Sequence, residues 1–240
     1  MPVYDALFCH LYNEFGWNEY PRVFGQQLLE WLALKGIPAR RALDLGCGTG
    51  VLCKVLSDQG MRTLGVDLSG DMVALARKQF PGLAFEVGNM VTYRPEACFD
   101  LVTCTGDALN HLFSLEDVAA VFRNVHDMLD PGGWFVFDLL NPGEVPDGEP
   151  FEAPYGEDGL VRFHTATEPD GSTRLRIDFY EAGTLKFSEV IREKVHDVAA
   201  IQNLLRGAGL EVVQCADRLL PGGDAHGATW FIAAQRPPLT

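Results

Sequence analysis

The sequence predicts an α/β fold: a doubly wound, mostly parallel, Rossmann-like sheet of seven strands that carries an inserted antiparallel sheet. Strand-like and helix-like segments alternate between residues 37 and 142, which is typical of parallel sheets covered by helices on both faces. A glycine-dense turn follows the first of these strands, where ligands bind in such sheets. With 240 residues, 47% of them hydrophobic, the chain is long enough for one domain of this class.

The order of the elements follows from changes in hydrophobic period. Residues 1–36 are aromatic-rich and predict an N-terminal helical cap. Strands are then predicted at residues 41–45, 62–66, 84–87, 99–104 and 134–139, and helices at 51–59, 71–80 and 115–129. The sequence Asp-Pro-Gly-Gly at 130–133 predicts a turn before the last of these strands. A helix at 198–207 and strands at 211–215 and 229–234 are expected to complete the main sheet.

The pattern changes after residue 142. A loop rich in Pro, Gly and acidic residues leads to a segment of period two, in which Leu175, Ile177 and Phe179 alternate with Arg174 and Arg176. We therefore expect a three-stranded antiparallel sheet within residues 160–195. On this basis the single domain divides into the cap at 1–36, a core at 37–142 and 196–240, and an insertion at 143–195 that serves as a lid or a dimer element.

Composition limits the possible partners. A net charge of −14 and a pI near 4.7 argue against nucleic acid, because binding phosphates requires clustered Lys and Arg. The six cysteines show no C-x-x-C spacing, which favours a reduced, intracellular protein. There is no basic start followed by an apolar run and no stretch of membrane-spanning length. These observations predict a cytoplasmic protein without a membrane or nucleic-acid partner.

Two neighbouring segments predict a nucleoside site. Residues 44–50 read Asp-Leu-Gly-Cys-Gly-Thr-Gly, and the missing Cβ atoms of such a turn let a ligand approach the backbone. The next strand ends in Asp67, at the distance where an acid would bind a ribose. The spacing G-x-G-x-G is one residue tighter than the dinucleotide fingerprint. Together the two segments indicate an adenosine-containing cofactor.

These two segments resemble the signature motifs of the class I S-adenosylmethionine-dependent methyltransferases. The resemblance covers residues 40–140, and the order of elements continues to the C-terminus. It implies S-adenosyl-L-methionine as the cofactor, with its methionyl and ribose parts against Gly46, Cys47, Gly48 and Gly50. The carboxylate of Asp67 would accept from both ribose hydroxyls. Asp44 would meet the ammonium of the methionine head, directly or through water.

The resemblance also implies the remaining cofactor contacts. Related enzymes often carry an acid where this chain has Asn89, whose amide oxygen can accept the same hydrogen bond from the adenine amino group. Packing on the base, or ordinary core packing, is expected for Leu68, Met72 and Met90. Tyr12 and Tyr20 would close over the sulfonium by cation–π attraction, or pack within the helical cap. Thr105, at the end of the fourth strand, completes the predicted set.

The segment after the fourth strand is expected to lie beside the transferable methyl group. It lacks the Asn-Pro-Pro-Tyr motif of adenine and glutamine methylation, and no cysteine of the chain follows a proline, which indicates a small-molecule acceptor. Asp107 and His111 are candidate catalytic residues, with His111 as a general base, but a hydrogen-bonded histidine at a helix start is at least as good an interpretation of His111 and no catalytic residue is assigned. Asn110 and His111 are candidate substrate contacts, with Arg174 and Arg176 of the insertion.

The insertion resembles that of sugar-amine and glycine-type N-methyltransferases, which favours nitrogen over oxygen as the acceptor and allows a homodimer. Asp107, Asp138 and Asn141 end neighbouring strands as Mg²⁺ ligands would, but the Asp-Asn pair of catechol-type enzymes is absent and no metal is predicted. The predicted reaction is in-line displacement, in which positioning does most of the work. A nicotinamide-dependent oxidoreductase and a non-catalytic cofactor-binding protein are the alternatives.

Overall fold

The structure is a computed structural model that describes Tyr4, residues 6–140, Gly148, and residues 150–220 and 229–239. Its helices are α1 Ala6–Leu11, α2 Glu19–Lys35, α3 Val51–Asp58, α4 Gly70–Gln79, α5 Leu115–Met128 and α6 Val198–Gly207. Its strands are β1 Arg41–Leu45, β2 Arg62–Asp67, β3 Ala84–Val87, β4 Phe99–Cys104, β5 Leu129–Leu140, β6 Phe151–Tyr155, β7 Gly159–Thr167, β8 Ser172–Glu181, β9 Thr184–Lys194, β10 Glu211–Ala216 and β11 Thr229–Gln235. A 3-10 helix, Ala108–His111, follows β4.

The main sheet has seven strands in the order β10-β11-β5-β4-β1-β2-β3. Strands β1 to β5 are parallel, whereas β11 pairs antiparallel with both β5 and β10. The chain moves outward from β1 to β3 and then returns to place β4 on the other side of β1. Loops after β1 and β4 therefore diverge, which opens a crevice at the carboxyl ends of these strands. The predicted fold class is confirmed.

Helices cover both faces of this sheet. On one face, Phe24 and Trp31 of α2 are buried and pack against Phe231 and Trp134, with ring centroids 5.9 and 5.3 Å apart. On the other face, Phe122 of α5 packs against Phe137 of β5, in a cluster that includes residues of α6. Burying these apolar faces provides the main stabilisation of the sheet. It also holds the strand ends in fixed relative positions.

The second sheet lies between β5 and α6 in the sequence and has four antiparallel strands in the order β6-β7-β8-β9, rather than the three expected. The additional strand is β6, in the segment whose Pro and Gly content predicted a loop. Pro154 is tolerated because β6 is the edge strand. Apolar residues of the inner face, including Ile177 and Phe179, pack with Phe8 of α1 and with Trp17. The insertion is thereby joined to the N-terminal segment.

Two further expectations need correction. The helical cap is divided into α1 and α2, with a turn region between them. Residues 130–133, predicted as a turn, belong to β5, and the pairing of β5 with β4 shifts register there. The N–H of Gly132 donates to the carbonyl of Arg236, and the N–H of Arg236 donates to the carbonyl of Gly133. These two bonds supply the pairing that keeps the segment in the sheet. Within the described residues, no helix is long and apolar enough to cross a membrane.

Two glycines, Gly48 and Gly50, test how closely the turn after β1 packs against Phe85 of β3. A Cβ on Gly50 would lie 2.6 Å from Cζ of Phe85, whereas a Cβ on Gly48 would meet no atom within 4 Å. Both have positive φ, +82° and +51°, so both alanine variants should lose about 1–2 kcal/mol from backbone strain. Gly50→Ala should lose a further amount of about 1–3 kcal/mol from overpacking. Urea unfolding measures the difference, and equal losses for the two variants would contradict the packing.

Candidate functional site

A cavity of about 290 Å³ opens at the carboxyl ends of the parallel strands, between the glycine turn and the N-terminal segment. Of the residues predicted for the cofactor and acceptor, those that line it are Tyr12, Gly46, Gly48, Asp67, Leu68, Met72, Asn89, Met90, Thr105 and His111. Tyr4, Leu112 and Asp117 also line it. The cavity therefore brings together residues from the N-terminal segment, the first four strand ends and α5.

The glycine turn is held against β2 by backbone hydrogen bonds. The N–H groups of Gly46 and Cys47 both donate to the carbonyl of Val66, at 2.8 and 3.1 Å. Gly46 and Gly48 have φ angles of +75° and +51°, which non-glycine residues rarely adopt. A Cβ on Gly46 would lie 2.8 Å from Cβ of Ala108. The turn consequently exposes backbone at the cavity wall, where a side chain would either clash or narrow the space.

Asp67 joins the turn to the end of β2. Its Oδ2 accepts from the N–H of Gly48 and its Oδ1 from the N–H of Ser69, both at 2.8 Å. Burial raises the pKa of this carboxyl, and the backbone N–H donors act against that shift. Each carboxylate oxygen can accept more than one hydrogen bond. Asp67 can therefore hold the turn in place and still accept from a diol in the cavity.

Asp44 lies deeper than Asp67, beneath the turn. Its side chain is buried, and its Oδ1 accepts from the hydroxyl of Thr103 at 2.7 Å. Burial raises the pKa of Asp44 to about 7, although the Thr103 hydroxyl lowers it. Asp44 lines a smaller cavity that also borders Tyr12, Gly46, Cys47 and Thr49. Asp44 therefore lies beside the glycine turn, at a cavity that shares Tyr12 and Gly46 with the larger one.

The region expected to hold adenine lies between the ends of β2 and β3. Leu68 is 45% exposed, whereas Met72 is almost fully buried. Asn89 is exposed, and its Oδ1 accepts from the N–H of Val91 at 2.9 Å, which orients the amide. The second lone pair of that oxygen can accept from a ligand. Asp117, from the first turn of α5, lines the same cavity and gave no sequence signal beyond that of a helix N-terminus.

The two tyrosines of the N-terminal region have different positions. Tyr12 lines the cavity. The hydroxyl of Tyr20 donates to Oδ2 of Asp138 at 2.5 Å, which connects α2 to β5, and Tyr20 is not among the residues that line this cavity. The buried carboxylate of Asp138 also accepts from the N–H groups of Gly106 and Asp107, each at 3.0 Å. Asp138 thus fixes the loop after β4.

Residues after β4 border the opposite end of the cavity. Asp107 has a φ of +60°, and burial beside Asp138 raises its pKa well above the usual value. Asn110 is fully buried: its Nδ2 donates to the carbonyl of Lys194 at 2.8 Å, and its Oδ1 accepts from the N–H of Leu140 at 3.2 Å. Both ends of this amide are therefore used to join β9 and β5.

His111 faces the cavity within a small polar group. Its Nε2 lies 3.1 Å from the hydroxyl of Tyr4 and 3.9 Å from Oε1 of Glu193 on β9. Burial lowers the pKa of His111. Burial raises the pKa of Glu193 to about 7, with a smaller contribution from Asp138. The sequence did not single out Tyr4 or Glu193 as functional residues, because their contacts with His111 join parts of the chain that are far apart in sequence.

The predicted substrate contacts Arg174 and Arg176 lie on β8 and are not brought to this cavity. Nε of Arg174 donates to Glu168 at 2.5 Å, and Nε of Arg176 donates to Asp178 at 2.9 Å. Among the described residues, no group of three or more His, Cys, Asp or Glu side chains could hold a metal ion. Asn141, the third residue considered as a metal ligand, lies outside the described residues.

Comparison with known proteins identifies the family. Residues 42–133, which include the glycine turn and Asp67, match the family described as methyltransferase domain. This segment is a methyltransferase domain. The methyltransferase family predicted from the motifs is therefore confirmed.

Some relatives match this chain beyond that segment. The cypemycin N-terminal methyltransferase of a Streptomyces species is 27% identical over 78% of this chain and 80% of its own length. The dTDP-3-amino-3,4,6-trideoxy-α-D-glucopyranose N,N-dimethyltransferase of Streptomyces venezuelae is 27% identical over 72% of this chain and 76% of its own length. Among solved structures, an S-adenosylmethionine-dependent methyltransferase from Clostridium acetobutylicum shares the fold, with a TM-score of 0.82, 22% identity and coverage of 96% and 98%. The chain spans about half the length of several other curated relatives that it matches.

The burial of Asp44 predicts a pH-dependent stability. Its carboxyl stays protonated in the folded protein up to about pH 7, whereas an aspartate of the unfolded chain ionises at about pH 3.9. The unfolded state therefore binds fewer protons between these values, so this residue makes stability fall as pH rises through the interval. Asp44→Asn removes that penalty and keeps the acceptor for Thr103. Its free energy of unfolding relative to wild type should rise by about 1–3 kcal/mol from pH 5 to pH 8. A constant difference across this range would contradict the buried carboxyl.

Proposed function

We propose that this protein is an S-adenosyl-L-methionine-dependent methyltransferase that acts on a nitrogen atom of a small molecule. The observation that carries the proposal is one cavity with the half-buried carboxylate of Asp67 and a bare glycine backbone at one end and His111 with Tyr4 at the other. The first end suits the nucleoside and methionyl parts of the cofactor. The second end leaves room for an acceptor beside polar groups.

The described residues fit this cofactor in three respects. Asp67 presents carboxylate oxygens at the position where a ribose diol would meet the turn. The cavity has no lysine or arginine among its described lining residues, which suits a ligand without phosphate groups. Tyr12 presents an aromatic side chain to the same cavity, and aromatic faces attract cationic groups. The spacing G-x-G-x-G, one residue tighter than the dinucleotide fingerprint G-x-G-x-x-G, also disfavours a nicotinamide dinucleotide.

The acceptor end favours an amine. Asp107, Asp138 and Glu193 place carboxyl groups around it, and each has its pKa raised mainly by burial. A cation beside such carboxyl groups favours their ionised form, whereas an anion opposes it, so these surroundings suit a neutral or cationic acceptor better than an anionic one. Two relatives support the same class, since one is named as an N,N-dimethyltransferase of a dTDP-amino sugar and the other as the cypemycin N-terminal methyltransferase. Oxygen methylation is the second candidate.

The reaction is a direct displacement. When bound, the cofactor supplies a methyl group on a cationic sulfur, and the electron pair of the broken C–S bond remains with sulfur as the acceptor's lone pair forms the N–C bond. The residues of this chain contribute alignment: the glycine turn and Asp67 hold the donor, and the loop fixed by Asp138 holds the acceptor end. Orientation of two bound reactants can account for much of the rate.

We further propose that the insertion covers the acceptor site, because β9 brings Glu193 to His111. A cytoplasmic location is also proposed, supported by the six cysteines, all of which are free thiols.

A homodimer remains a proposal from the resemblance of the insertion. Light scattering of the purified protein measures the oligomeric state, and a monomer at micromolar concentration would contradict the dimer.

Replacing Asp67 tests the cofactor site. Asp67→Asn keeps the size of the side chain but removes its charge, and the loss of charge-assisted hydrogen bonds should weaken S-adenosylhomocysteine binding by about 2 kcal/mol, or roughly 30-fold. Calorimetry measures this affinity. Asp71→Asn, in an exposed residue of the adjacent helix α4, is the matched control and should bind as wild type. Unchanged affinity in Asp67→Asn would place the ribose elsewhere.

The methyl transfer itself is tested with S-adenosyl-L-methionine and a panel of amino sugars, N-terminal peptides, simple amines and matched alcohols. Formation of S-adenosylhomocysteine above the acceptor-free rate should occur with amines, and mass spectrometry should show a gain of one methyl group. Binding without transfer to any acceptor would favour the non-catalytic alternative. Thermal stabilisation by NADH but not by S-adenosylhomocysteine would favour the oxidoreductase.

A further inference from the structure

Three side chains from distant parts of the chain meet at the acceptor end of the cavity. Tyr4 comes from the N-terminal segment, His111 from the 3-10 helix after β4, and Glu193 from β9 of the inserted sheet. The hydroxyl of Tyr4 lies 3.1 Å from Nε2 of His111, and Oε1 of Glu193 lies 3.9 Å from the same nitrogen. Nε2 therefore faces both an O–H group and a carboxyl group.

We propose that Tyr4, His111 and Glu193 form a proton-accepting triad that deprotonates an ammonium acceptor before methyl transfer. This inference rests on the proposed function and adds a substrate requirement to it: the acceptor arrives as an alkylammonium ion. Tyr4 and His111 are the catalytic residues of the triad. Glu193 is a positioning residue, because it acts on the acceptor only through His111.

The contact between Tyr4 and His111 allows proton transfer from the phenol to the imidazole. In the tautomer of His111 that carries its proton on Nδ1, Nε2 has a free lone pair and accepts from the hydroxyl of Tyr4 at 3.1 Å. The phenol oxygen of Tyr4 then keeps its own lone pairs for an ammonium in the cavity, which both residues line.

The proton and charge balance is simple. One proton leaves the acceptor nitrogen for the phenol oxygen of Tyr4 as the phenol proton moves to Nε2 of His111, so the tyrosine ends as it began. The free amine can then attack the methyl carbon. The proton on His111 gives an imidazolium ion, which Glu193 stabilises as a carboxylate. Release of that proton to solvent restores the triad.

Charges around the triad are consistent with this role. Asp107, Asp138, Asp67 and Tyr12 are the other titratable groups that act on Tyr4 or Glu193, and none of them is cationic. The neighbours of Glu193 on β9 are directed elsewhere: the guanidinium of Arg192 lies 5.4 Å from the ring centroid of Phe113, and Nζ of Lys194 donates to the carbonyl of Asp170. Within the described part of the chain, His111 is therefore the group that can become a cationic partner of Glu193.

Removal of the Glu193 charge has a defined effect on pH dependence. Burial raises the pKa of Glu193 to about 7 and lowers that of His111, so in wild type the pair becomes able to accept a proton as pH rises through about 7. In Glu193→Gln only His111 titrates, at a lower pH. The acidic limb of the pH profile of kcat should therefore move to lower pH by about one unit or more. The maximal kcat should fall about tenfold or more, because the imidazolium has lost its counter-charge.

The test combines a titration with turnover. Protein labelled with ¹³C at histidine reports His111 by NMR, and His111→Asn assigns its signal. His111 should titrate over a broad range in wild type and at lower pH in Glu193→Gln, with Glu193→Asp restoring part of the wild-type behaviour. Glu189→Gln, the same change on the same face of β9, is the matched control and should keep the wild-type titration and kcat profile. Tyr4→Phe should lower kcat about tenfold or more while His111 still titrates.

The outcomes separate the two proposals. Turnover uses the best amine of the acceptor panel, and equal binding of S-adenosylhomocysteine confirms that each variant is folded. If an amine is methylated but Glu193→Gln and Glu189→Gln share the wild-type titration and kcat profile, the triad is overturned and the proposed function stands. If the protein methylates only alcohols or nothing, the nitrogen reaction fails and the triad with it.

Discussion

The carboxylate of Asp67 is the contact on which the candidate site depends. It accepts from the N–H of Gly48 on one side and from the N–H of Ser69 on the other, so a single side chain joins the turn after β1 to the start of α4. The N–H groups of Gly46 and Cys47 add two bonds to the carbonyl of Val66. The wall of the cavity is thus held by hydrogen bonds between neighbouring parallel strands, and the glycines allow this close approach.

A fully buried carboxylate organises the opposite wall. Asp138, at the end of β5, accepts from two N–H groups of the loop after β4 and from the hydroxyl of Tyr20. Removing any of these donors would leave a buried charge with fewer partners, which is costly. The same contact ties α2 to the sheet. Donor and acceptor ends of the cavity are therefore each positioned by one acid at a strand end, and the two reactants can be aligned without large side-chain movements.

Much of the fold could be predicted from the sequence, because its signals are local. Alternating strand and helix patterns located the parallel strands, and Asp-Leu-Gly-Cys-Gly-Thr-Gly located the turn after β1. The insertion was harder: β6 contains Pro154 and follows a Pro- and Gly-rich segment, so the period-two pattern was not visible there. Residues 130–133 have the composition of a turn, but bonds to Arg236, more than 100 residues away, keep them in β5.

The candidate site was predictable where it follows a motif and not where it depends on distant contacts. Asp67, Gly46 and Gly48 lie at the cavity because motif and strand end coincide. Asn110 had the right position in sequence, yet its amide is used for the backbone of Lys194 and Leu140. Tyr4 and Glu193 reach His111 only through the packing of α1 and β9 around the cavity. No local pattern reports such a contact.

A crystal structure of the protein with S-adenosylhomocysteine is the most direct test of the cofactor site. We expect both ribose hydroxyls on the carboxylate of Asp67, the methionyl chain along Gly46 and Gly48, and the sulfur facing the end of the cavity that holds Tyr4 and His111. A nucleoside bound away from Asp67, or one whose sulfur faces away from His111, would contradict this site.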